Sequence, residues 1–125
     1  MEIFGDTRRI ELNGPAIAVS ANAAQYLAMA FHELSTNALK HGAFSVETGR
    51  IDVTWTVSED LPAMFNIIWQ ERGGPAPKSK SKSGFGKLVL EKLMPAAVEG
   101  TAEIAGEPDG IRWTLSAPLD RLLRS

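Results

Sequence analysis

Between Ser20 and Ser58 the apolar pattern of this chain changes period once, and that change restricts it to folds that lay a long helix against a sheet. From Ser20 onward Leu27, Phe31, Leu34 and Ala38 recur at spacings of four, three and four, one face of an amphipathic α-helix. Ser20 suits the N-cap. The helix is expected to stop near His41-Gly42, with Gly42 as a left-handed terminal residue and Lys40 and His41 at the negative end of the helix dipole. Then the period becomes two: Ile51, Val53, Trp55 and Val57 alternate with Asp52, Thr54, Thr56 and Ser58, which predicts a half-buried strand. A second strand from Met64 to about Glu71 follows a short spacer, so the two are expected to pair antiparallel.

The remaining segments extend this pattern. Arg8 to Leu12 reads as a strand closed by Asn13-Gly14-Pro15. A helix with Leu88, Val89, Leu90 and Leu93 on its apolar side begins after Gly84-Phe85-Gly86 and is expected to end at or before Pro95. Two last strands, about Gly100 to Gly106 and Gly110 to Ala117, flank the turn Glu107-Pro108-Asp109, with Ile111, Trp113 and Leu115 as a buried row. The order is strand, helix, two strands, loop, helix, two strands. It predicts an α+β two-layer sandwich with helices on one face of a mixed, mostly antiparallel sheet.

Composition narrows the function. At 125 residues and 44% hydrophobic the chain can bury one core without staples, and it has no cysteine, which excludes thiolate catalysis, disulfides and Cys-ligated metals. No apolar run approaches the ~20 residues of a membrane span. The start, with Asp6, Arg8 and Arg9, lacks a signal-peptide core. A cytoplasmic protein, or a soluble piece of a larger one that could itself be membrane-anchored, is the expectation. The net charge of -2 argues against nucleic acid, yet Arg72 to Lys92 carries six cations against the single anion Glu91. A local basic stretch in an acidic chain suits a compact anionic ligand.

Three groups of residues carry chemistry. Glu33, Asn37, Lys40 and His41 lie along one stripe of the first helix. An amide oxygen there is a hard metal ligand, a cation pairs with phosphate, and an acid orients water or takes a proton. Trp69-Gln70-Glu71-Arg72-Gly73-Gly74-Pro75 ends a strand in an acid followed by two glycines, where a ligand can approach the backbone and a carboxylate can accept from an exocyclic amine. Gly84-Phe85-Gly86 opens a helix with Lys87 in its first turn, where free amides and the dipole favour an anion. It is neither a Walker A loop nor a dinucleotide-binding fingerprint.

These groups follow one another in a specific order. His32-Glu33-Leu34-Ser35-Thr36-Asn37-Ala38-Leu39-Lys40-His41-Gly42-Ala43 resembles the N box of the histidine kinase ATP-binding domain, in the superfamily shared with gyrase, Hsp90 and MutL. His32 with Trp69-x-Glu71 resembles the signature of the HWE subfamily of sensor histidine kinases, and Gly73-Gly74-Pro75 and Gly84-Phe85-Gly86 stand where that family has its two glycine boxes. The resemblance runs from about Arg8 to Leu119.

The resemblance implies a single ATP-binding domain of the Bergerat type over residues 1–125, with its core at about 8–119. It implies ATP and Mg2+ as ligands, with Asn37 on the metal, Glu33 as the N-box acid, and Lys40 on phosphate with His41 beside it. Glu71 would receive the adenine amine, Gly73 and Gly74 would make room for the base, and Gly84, Phe85 and Gly86 would close the phosphate end. Residues 76–83 would form a lid, in which Lys78, Lys80 and Lys82 can approach phosphate, and Thr114 would reach the adenine site through water. The implied activity is transfer of the γ-phosphoryl group to a histidine on a separate dimerisation domain, and from there indirectly to a response regulator. The only histidines, His32 and His41, fall in the N box, so the isolated chain is expected to bind Mg-ATP without labelling itself. It is expected to be a monomer alone and a homodimer in the full-length protein. Two alternatives are an anti-sigma-type serine kinase or ATPase, and a degenerate domain kept as a protein-docking module.

Overall fold

A computed structural model describes residues 9–77 and 85–125. Five strands, β1 (Ile10–Asn13), β2 (Arg50–Val57), β3 (Met64–Arg72), β4 (Thr101–Glu107) and β5 (Gly110–Pro118), form one sheet in the order β1-β2-β3-β5-β4. β1 runs parallel to β2 and every other pair is antiparallel, so the expected mixed sheet is found. The long helix α1 (Ala21–Lys40) and the helical stretch over residues 85–97 cover one face.

Local chemistry accounts for the element ends. Ser20 caps α1 as expected, its hydroxyl accepting from the Ala23 amide at 3.0 Å. At the other end Gly42 has φ -117°, so it is not the expected left-handed residue, and its lack of a side chain serves a different purpose described below. Pro95 does not end its helix either. α2 (Phe85–Leu88) passes into a π-helical turn (Val89–Leu93) and then α3 (Met94–Ala97). Proline has no N–H, and its ring crowds the carbonyl four residues back; the wider turn gives it room, and the Met94 amide bonds the Val89 carbonyl. In that register the Leu90 carbonyl would be served by residue 95, a proline. The Trp113 indole N–H takes it instead, at 3.0 Å and buried. A short helix α4 (Leu119–Arg124), absent from the sequence-based expectation, buries Leu122, whose carbonyl accepts from the Ser20 amide.

The core lies between the helices and the sheet. Ala30, Leu34 and Ala38 of α1 meet Ile51 and Val53 of β2, Phe65, Ile67 and Trp69 of β3, and Trp113 and Leu115 of β5, with Val89, Leu90 and Met94 closing the far side. Each such large side chain contributes roughly 1.5–3 kcal/mol by burial. The opposite sheet face carries Asp52, Thr54, Asn66, Gln70 and Thr114 and is polar.

Candidate functional site

Along β3 the side chains of Phe65, Ile67, Trp69 and Glu71 point toward the helices, so the strand's alternation places a carboxylate where its last apolar residue would stand. Glu71 is only 1% exposed. Burial pushes its carboxyl above the ordinary glutamate value of 4.5, while hydrogen bonds from the Trp69 side chain and from the Ala43 and Ile111 backbone pull it back. Ala43 N–H donates to Oε1 at 3.1 Å and the Trp69 indole to Oε2 at 3.2 Å. Trp69 is therefore a core residue, stacked on Phe31 with centroids 6.3 Å apart, and also the group that orients the acid.

Backbone lines the rest of this pocket. A Cβ on Gly42 would stand 2.5 Å from Glu71 Oε1, and one on Gly110 would stand 2.4 Å from Glu71 Cβ. A Cβ on Gly74 would stand 2.7 Å from Ala43 Cα, so the glycine pair after β3 packs directly on the turn that follows α1. Gly73 has φ 71°, a conformation that favours glycine, and its carbonyl accepts from Thr48 Oγ1 at 2.7 Å. Arg9 ties the same turn from the other side: its guanidinium donates to the carbonyls of Gly49 and Ala43, both at 2.9 Å, and to that of Val46, and it lies over the Phe44 ring at 4.9 Å.

α1 extends the site away from Glu71. Glu33 and Asn37 are half-buried, while His32, Lys40 and His41 are exposed. Phe85 and Gly86 open α2, and a Cβ on Gly86 would stand 2.4 Å from Glu33 Oε2, so the structure brings the helix acid against the second glycine box. Glu33 stands seven residues, or ~10 Å at 1.5 Å per residue, before the end of α1 at Lys40, which is two residues short of Gly42 beside Glu71. Lys78, Lys80, Lys82 and Gly84 lie outside the described residues. Thr114 does not approach Glu71: it pairs with Ile68 and opens on the polar sheet face, because Trp113 and Leu115 take the inward positions of β5.

Several contributors escape sequence reading. The Ala43 amide acts through its backbone, and Arg9 and Asp109 act across 34 and 36 residues of sequence, so no local motif marks them. The Pro108-Asp109-Gly110 run signals a turn and nothing more.

No protein-family model matches the chain. It is 33% identical over 112 residues to a blue-light-activated histidine kinase of Brucella ovis, a match that covers 89% of this chain and 23% of that protein. The chain thus spans about a quarter of the curated relatives it matches. Among solved structures it superimposes on the histidine kinase domain of a blue-light-activated histidine kinase from Erythrobacter litoralis, with a TM-score of 0.70 and 14% identity over 91% of this chain and 52% of that one. The nucleotide-free catalytic domain of histidine kinase ThkA gives a TM-score of 0.60 at 14% identity, covering 87% of this chain and 77% of that one. Sequence homology over nine-tenths of its length makes the chain a member of the histidine kinase family, and it shares the fold of histidine kinase catalytic domains.

Proposed function

We propose that the chain is the ATP-binding catalytic domain of an HWE-type sensor histidine kinase, acting on a histidine of a separate dimerisation domain of the same protein. The observation that carries this reading is the pairing of a buried, hydrogen-bonded acid at the end of β3, against Gly42, with a second acid, Glu33, about two helical turns back along the α1 helix that leads to Gly42. A buried carboxylate costs stability wherever it is ionised, and here burial outweighs the hydrogen bonds that favour the charge. Glu71 still has lone pairs beyond those used by Ala43, Trp69 and Ile111, and these accept the exocyclic amine of adenine.

Toward the phosphates the residues present suit magnesium. Among the described residues no cluster of three or more His, Cys, Asp or Glu is placed to hold a metal by itself. Mg2+ takes few protein ligands and completes its shell with phosphate oxygens and water, so one hard amide oxygen, that of Asn37, fits the role. Bound there, the ion would neutralise charge developing on the transferred phosphoryl group. Lys40, on the same stripe, reaches phosphate oxygens with His41 beside it, and the backbone amides of Phe85 and Gly86 close that end.

The transfer breaks the bond between the γ-phosphorus and its bridging oxygen and forms a bond from that phosphorus to an imidazole nitrogen, with ADP leaving. The proton lost by the imidazole passes to Glu33 or to a water that Glu33 orients. Catalysis is then positioning and charge neutralisation. Replacing Asn37 by Ala is expected to remove the magnesium-dependent part of nucleotide affinity and to abolish phosphorylation of a supplied dimerisation domain. Phosphotransfer at the wild-type rate in that variant would reject the assignment.

A further inference from the structure

The glycine pair that follows Glu71 lies beyond the β3 ladder, so its amides need partners elsewhere. Both find the same one. Gly73 N–H donates to Asp109 Oδ2 and Gly74 N–H to the Asp109 carbonyl, each at 2.9 Å. Asp109 sits in the tight turn between β4 and β5, where an aspartate ordinarily bonds its own neighbours; here its carboxylate reaches across to a segment 36 residues away. The next residue, Gly110, lies under Glu71, and further along the same hairpin a Cβ on Gly106 would meet Pro77 at 3.4 Å. The β4–β5 turn thus touches the acid and the loop that leaves it.

We infer that Asp109 is a positioning residue for the base end of the nucleotide site: its carboxylate latches Gly73, and so holds the glycine pair against the Ala43 turn, whose amide donates to Glu71. This rests on the proposed ATP-binding reading. Bonds from a neutral amide to a carboxylate are stronger than those between neutral groups, so the side-chain prong dominates the hold while the carbonyl prong survives substitution. Because the residue stands in a surface turn, its replacement leaves the core intact.

The test compares the wild-type chain with Asp109→Ala and Asp109→Asn. Titration with adenosine and with a nonhydrolysable ATP analogue, each with and without magnesium, is paired with amide exchange at Gly73. Asp109→Ala is expected to weaken both ligands five- to tenfold alike, to leave the magnesium-dependent gain unchanged, and to expose the Gly73 amide. Asp109→Asn, which keeps an acceptor oxygen, is expected to restore affinity to within twofold and to protect the amide again. Wild-type affinity in Asp109→Ala, or a Gly73 amide that stays protected there, would overturn the latch while leaving the ATP reading standing. Failure of the wild-type chain to bind either ligand would overturn both.

Discussion

Adding one methyl group at Gly42 distinguishes a glycine packed against the buried acid from one that merely ends a helix. The new Cβ would lie 2.5 Å from Glu71 Oε1, 0.9 Å short of the 3.4 Å at which ordinary contact begins, and Ala38 Cα at 3.1 Å closes the retreat on the other side. The carboxylate must therefore move by most of that deficit. Its 3.1 Å bond from Ala43 has only 0.4 Å of slack before it passes 3.5 Å, so the bond breaks. Losing a hydrogen bond to a buried carboxylate costs about 1.5–3 kcal/mol, and overpacking costs about 1–3 kcal/mol. The expected total of roughly 3–5 kcal/mol would lower the melting temperature by about 10–20 °C in a domain of this size. Gly106→Ala is the control, because its Cβ would meet only Pro77 at 3.4 Å and should be tolerated to within about 0.5 kcal/mol. Calorimetric melting of both variants, with nucleotide titration of whichever fold, reads the difference. A Gly42→Ala protein as stable as Gly106→Ala, with unchanged nucleotide affinity, would refute the packing of Gly42 on Glu71.

Other expectations follow from the same contacts. Because burial raises the Glu71 carboxyl above 4.5, the folded state takes up its proton more readily than the unfolded one; the penalty is absent below that value and grows as pH rises through the folded-state pKa. Denaturation of wild type and Glu71→Gln between pH 3.5 and 8 should therefore show the wild type losing ground to the variant with rising pH, and a difference independent of pH would remove the desolvation argument. Arg9→Met deletes three bonds to carbonyls of the turn after α1, and at about 1 kcal/mol each should cost roughly 2–3 kcal/mol in urea denaturation; a loss below 0.5 kcal/mol would show that the turn holds itself. Gly86→Ala would put a Cβ 2.4 Å from Glu33 Oε2 and should slow phosphotransfer at least tenfold with little change in melting temperature, since Glu33 is only half-buried; unchanged transfer would separate that acid from the second glycine box.

The sequence carries the layer arrangement clearly because period alone marks it: α1, β2 and β3 each show a run long enough for three or more repeats of their spacing. Local rules misread two helix ends for a shared reason. Gly42 and Pro95 have strong intrinsic preferences, but tertiary contacts decide what each does: the approach of Glu71 in one case, and the exchange of a helical bond for the Trp113 indole in the other. α4 is short and carries Asp120, Arg121 and Arg124 around Leu119, Leu122 and Leu123, too few repeats to signal a helix. At the site, Glu33, Asn37 and Glu71 are legible as side chains with evident chemistry. Ala43, Arg9 and Asp109 are not, since what matters in them is a backbone amide or a partner tens of residues distant.

The most direct test is a calorimetric titration of the purified chain and its Glu71→Ala variant with a nonhydrolysable ATP analogue, with and without magnesium. One nucleotide per wild-type chain, bound more tightly with magnesium and at least tenfold more weakly by the variant, is the expected result. Equal affinity in the two proteins, or no saturable binding to wild type at millimolar nucleotide, would contradict the assignment of Glu71 as the group that receives the base.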